Sequence, residues 1–162
     1  MNKKLLGIYL NDHLAGSTAG LELARRARGA NEGTALGGFL ATIAEEIEED
    51  RKTLEGVMED LGVRKDLTKV AAGWAIEKAG RLKLNGQLRG YSPLSRLVEL
   101  EGLALGVTGK LALWKALRLL AEHEPVLDAA AFDRLVERAE EHQRGLEEHR
   151  LVAAREALGA EG

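Results

Sequence analysis

Four polar residues stand where the helical periodicity of this chain asks for apolar ones: His13, Asp50, His142 and His149. A neutral imidazole nitrogen is a good ligand for a divalent metal, and a carboxylate supplies the negative charge that such a site needs. Brought together, these side chains could hold zinc, iron or manganese, with Glu101 as a further carboxylate. The same groups have a second chemistry. An aspartate hydrogen-bonded between imidazoles makes a buried polar network that fixes the register of packed helices.

Other groupings carry less. Ser17 has His13 one helical turn away, but no oxyanion-forming turn accompanies it, so nucleophilic catalysis is not expected. Gly102-x-x-x-Gly106 with Gly109-Lys110 is superficially like a phosphate loop. Leu111 stands where that loop needs Ser or Thr, and no strand precedes it, which excludes the motif. The acidic run Glu45-Glu46-Ile47-Glu48-Glu49-Asp50 reads as a charged helix face.

Positioning these groups falls to four long segments, roughly 4–29, 34–61, 93–122 and 128–158. The first repeats Leu6, Leu10, His13, Ser17, Leu21 and Ala24 at steps of three and four, and the second Leu36, Leu40, Ile43, Ile47, Asp50, Leu54, Val57 and Leu61. The last repeats Leu135, Ala139, His142, Leu146, His149, Ala153 and Glu156, so its two histidines lie on one side, about 10.5 Å apart. The third is apolar over much of its circumference, which predicts a helix that is central or covered on its outer side by the crossover or a second subunit. Thr34, Ser92 before Pro93, and Asp128 are expected to cap helices; Gly29, Gly62 and Gly159 are expected to end them. Gly16 and Gly20 lie inside the first segment, where each costs about 1 kcal/mol relative to alanine; close approach to a neighbouring helix would explain them, and so would glycine that is merely tolerated.

The connection Ala30-Asn31-Glu32-Gly33 is short and returns the chain antiparallel. Residues 63–91 form a long connection, expected to be an irregular or partly helical crossover. Within it Asp66 caps a shorter helix through Val70, Trp74 and Ile76 to Gly80, followed by Leu82, Leu84 and Leu88 around Asn85-Gly86.

Two short-linked helical hairpins joined by a long crossover resemble the ferritin-like four-helix bundle, an all-α fold. Leu84-Asn85-Gly86 and Tyr91-Ser92-Pro93-Leu94-Ser95-Arg96-Leu97 are similar to a little-characterised bacterial group with that fold. In di-iron members the resemblance implies one glutamate from each of two helices and Glu-x-x-His from each of the other two. This chain departs from that pattern. Ala139 stands three residues before His142 and Leu146 three before His149, while the second segment has no histidine and carries Ile47 three before Asp50. With ferritin-like connectivity His13, Asp50 and His142 each lie sixteen residues, about 24 Å, from one end of the bundle, level with Gly109-Lys110. Glu101 and His149 form a second layer nearer that end.

Composition narrows the classes. The 162 residues are expected to form one domain, 1–162. A net charge of −3 with acids and bases interleaved offers no basic face for nucleic acid. Without cysteine there is no disulfide, thiolate metal site or cysteine nucleophile, which fits a cytoplasmic protein. The apolar start soon meets Asn11, Asp12 and His13, and the stretch from Leu94 to Leu117 carries Arg96, Glu99, Glu101, Lys110 and Lys115, so no membrane insertion is expected. The expectation is a non-catalytic ferritin-like protein without a cofactor, acting as a homo-oligomer or through a protein partner. The alternative is a member that binds iron, manganese or zinc through His13, Asp50, Glu101, His142 and His149. A carrier holding an apolar ligand between glycine-bearing helices is a third class.

Overall fold

The computed structural model describes residues 2–66, 68 and 91–159. Among them the chain forms four long helices and no strand: α1 Lys3–Ala30, α2 Ala35–Asp60, α3 Pro93–Leu120 and α4 Ala129–Leu158. No described helix is long and apolar enough to cross a membrane. The expected crossover helix through Val70, Trp74 and Ile76 to Gly80 lies outside the described residues, as do Leu82 to Leu88.

The helix boundaries follow from local chemistry. Thr34 Oγ1 accepts from Gly37 N at 3.0 Å, Ser92 Oγ accepts from Ser95 N at 3.0 Å with Pro93 at the first helical position, and Asp128 accepts from Ala130 N and Ala131 N. Each side chain satisfies a backbone donor that the first turn leaves without a partner. At the end of α2, Gly62 takes φ +66, and Val63 N donates back to Met58 O at 2.7 Å. That left-handed stop is the expected one. Asn2, which was not anticipated as a cap, accepts from Leu5 N at the start of α1. The first helix runs one residue beyond Gly29, and α3 stops at Leu120 rather than 122.

Cross-links fix the directions. Arg26 near the end of α1 meets Glu99 near the start of α3 at 2.9 Å, and Arg96 on α3 meets Glu156 late on α4. The ends of α1 and α4 and the starts of α2 and α3 therefore share one end of the bundle. Adjacent helices are antiparallel, and α2 ends at the opposite end of the bundle from the start of α3. Tyr91 ties that shared end together: its hydroxyl donates to Glu99 at 2.9 Å and accepts from Asn31 at 3.0 Å. Burial pushes its pKa up to about 12, so it stays a donor at neutral pH. At the opposite end, buried Asn11 donates to Arg64 O at 3.0 Å and accepts from Asp66 N at 2.6 Å, fastening the chain after α2 onto α1. Asp66 in turn accepts from Thr68 N at 3.0 Å, the contact expected of a capping residue.

The predicted stripe of α2 is buried throughout, Leu36 to Leu61. The core has two parts. One gathers around Leu21, Ile47, Val107 and Leu146, the other around Leu14, Leu54, Leu113 and Ala139. Between them each helix contributes a polar position: Ser17, Asp50, Lys110 and His142. The outer side of α3 carries exposed Leu94, Val98, Leu105 and Leu119.

Candidate functional site

The polar layer is built from pairs one helical turn apart. Glu46 and Asp50 share a face of α2, as Arg138 and His142 share a face of α4. Because the two helices are antiparallel, Glu46 meets His142 and Asp50 meets Arg138. From α3, Lys110 Nζ lies 2.7 Å from Asp50 Oδ2 and 2.8 Å from His142 Nδ1. Arg138 also reaches Glu49 at 2.9 Å. Asp50 is 4% exposed and His142 5%, so the network sits inside the bundle.

Its protonation follows from who can donate. An ammonium only donates, so His142 Nδ1 accepts and Nε2–H faces Glu46 Oε2. Burial, reinforced by the Lys110 charge, lowers the His142 pKa, which favours this neutral tautomer. Burial also lowers the Lys110 pKa, against the pull of Asp50. For Arg138, burial is outweighed by Asp50, Glu49 and Glu46, which hold its pKa above the ordinary value. Both carboxylate oxygens of Asp50 are taken by cations, and both nitrogens of His142 have partners. This is the geometry of a register-fixing network, with ammonium and guanidinium supplying positive charge at its centre.

The sequence-predicted ligands separate accordingly. Asp50 and His142 meet on one ammonium. His13 is half-buried with its ring edge-on to Tyr9, centroids 4.6 Å apart, and burial lowers its pKa despite Asp12. His149 packs on Phe39 with centroids 4.7 Å apart. Glu101 lies on the surface, 3.7 Å from Arg150. Among the described residues no three His, Asp or Glu side chains form a group that could hold a metal ion. Ser17 donates to Leu14 O at 2.7 Å rather than facing an imidazole base. Lys110 lies at the level expected for it, whereas Arg138 and Glu46 were not singled out. Their signal is the four-residue offset from His142 and Asp50 on facing antiparallel helices.

Beside this layer, α1, α2 and α3 wall a pocket of about 220 Å³ that opens to solvent where Asp12, Gly16 and Gly106 are exposed. Asp50 and Lys110 form part of its wall, with His13 and Ser17. Gly16 and Gly20 of α1 and Gly106 and Gly109 of α3 also line it, and a Cβ built on any of the four would meet nothing within 4 Å. Close helix packing is therefore not what these glycines serve. Gly102 alone in this wall is tight, its Cβ position 3.1 Å from Leu23 Cδ2. Each open glycine still costs its helix about 1 kcal/mol relative to alanine. Trp114, also in the wall, buries its indole N–H with no acceptor among the described residues. Compared with known proteins, the chain matches no family model, no curated protein and no solved structure.

Proposed function

We propose that this chain is a ferritin-like bundle that performs no catalysis and acts by pairing with a second copy of itself through the outer face of α3. The ferritin-like reading draws support from the helix order: two antiparallel hairpins, with the end of the first at the opposite end of the bundle from the start of the second. The non-catalytic reading draws support from the polar layer. A divalent cation would have to displace Lys110 and Arg138 from Asp50, and Lys110 from His142. That chemistry lends no support to the alternative iron, manganese or zinc site at His13, Asp50, Glu101, His142 and His149.

The observation that carries the association is the exposure of large aliphatic side chains in register on α3. Leu105 is 76% exposed and Leu119 64%, with Leu94 and Val98 also exposed on that side. Their spacing fits a heptad seam whose other positions are Glu101, Thr108, Ala112 and Lys115. A twofold axis between residues 106 and 107 would set Leu94 of each copy against Leu119 of the other, and Leu105 beside Thr108. The two charges in the seam already have partners within the chain: Glu101 with Arg150, and Lys115 with Glu140 at 3.1 Å. Such a self-complementary patch suits the commonest oligomer, a closed dimer.

Equilibrium sedimentation at micromolar concentration tests this. The expected mass is twice the 17.5 kDa of the chain. Val98→Glu with Leu105→Glu should give the monomer with its helical circular dichroism unchanged. A wild-type monomer at every micromolar concentration would overturn the pairing.

A further inference from the structure

We propose that Lys110 is a reactive amine that takes up a small, uncharged, apolar aldehyde from the adjoining pocket as a protonated imine. The adduct is stoichiometric, and the inference is independent of the pairing face. Lys110, His142 and Glu46 run in series from the pocket wall. Lys110 belongs to that wall, with 12% of its side chain exposed. Its Nζ donates to His142 Nδ1 at 2.8 Å, and His142 Nε2–H faces Glu46. A nucleophile on a base, with the base oriented by a third group, is the arrangement that activates side-chain nucleophiles.

The polar layer lets the proton move without stranding a charge. When Lys110 hands a proton to His142, the imidazolium has the Glu46 carboxylate on its far nitrogen, and Arg138 stays on Asp50. Burial lowers the pKa of the donor as well as that of the acceptor, so Lys110 holds its proton less firmly than an exposed lysine. The neutral amine adds through its lone pair to the aldehyde carbon, and the carbonyl oxygen takes a proton as the nitrogen loses one. The imidazolium protonates the resulting hydroxyl, which leaves as water while the nitrogen lone pair closes the C=N bond. Ammonium and aldehyde have become iminium and water, His142 is neutral again, and the cation still faces Asp50.

The pocket sets the class of aldehyde. Buried Ile47, Leu103, Val107 and Trp114 make much of its wall apolar. An apolar cavity of about 150 Å³ takes benzene, so about 220 Å³ suits a substituted ring. Both cations of the wall have carboxylate partners, Lys110 with Asp50 at 2.7 Å and Arg51 with Glu55 at 3.4 Å, so nothing favours an anionic ligand.

Benzaldehyde is the probe, at one equivalent with cyanoborohydride at neutral pH, on the full chain. Reduction fixes the imine as a benzyl amine, and peptide mass spectrometry locates it. Lys110 should carry about ten times the label of Lys115, whose side chain is 56% exposed. Glyoxylate, an anionic aldehyde, should reverse that preference. His142→Gln should cut the rate at Lys110 about a hundredfold, with helical circular dichroism unchanged. Lys110→Arg, which keeps a cation on Asp50, should lose the adduct while melting stays cooperative. Benzaldehyde label confined to other lysines, or no label at all, would overturn the proposal. So would an unchanged rate at Lys110 in His142→Gln, or a preference of glyoxylate for Lys110.

Discussion

Lys110 is the residue on which the polar layer turns. Its ammonium joins an aspartate from α2 to a histidine from α4, and its side chain is 12% exposed against 5% for Asp50. Removing one partner of a buried pair leaves the other charge without compensation, which typically costs 3–5 kcal/mol. Arg138 remains on Asp50, so Lys110→Met is expected at the low end, about 3 kcal/mol in a urea titration. Adding Asp50→Leu should recover part of that loss, because the orphaned charge goes with it. A loss below about 1 kcal/mol in the single variant would mean that water already screens the pair. Asp50 and His142 were legible in the sequence because they interrupt apolar stripes, and Lys110 because it falls at their level. Arg138 was not, since α4 also carries Arg134, Arg144, Arg150 and Arg155, and helical spacing alone does not say which of them faces a carboxylate on another helix.

Elements were legible where their signals are local. Thr34, Ser92 with Pro93, Asp128 and Gly62 each act through the backbone within five residues, and each does what its position in the sequence implies. The interior glycines left close packing and mere tolerance open because their meaning is not local. Whether a glycine faces a neighbour or a void depends on side chains from other helices. Gly37 and Gly106 are both helical glycines with opposite surroundings. A Cβ on Gly37 would lie 2.1 Å from Asn31 O, a backbone atom in the tight connection between α1 and α2, whereas one on Gly106 would meet nothing. Gly37→Ala is therefore expected to destabilise the fold by about 1–3 kcal/mol in the same titration. Unchanged stability would show that the α1–α2 turn can shift to make room. Gly145 is tight for a different reason, since its Cβ position lies 2.4 Å from the Phe39 ring that also carries His149.

At the scale of the molecule, connection lengths were the readable signal: a four-residue link folds one helix back on the next, and a long one permits two successive helices to run the same way. The division of the core into two apolar parts by a charged layer was foreshadowed by off-pattern residues at matching depth. Its content was not, because the choice between a metal and fixed cations depends on which side chains reach the centre from neighbouring helices. The apolar outer side of α3 was legible as one of two alternatives, a central helix or one covered on its outer side, since apolar content alone does not separate them. Whether fixed cations hold the place of a metal is decided most directly by elemental analysis of untagged protein purified without chelator. The predicted result is iron, manganese and zinc each far below one atom per chain. One or more atoms of any of them per chain, lost in Asp50→Asn or His142→Ala, would contradict it.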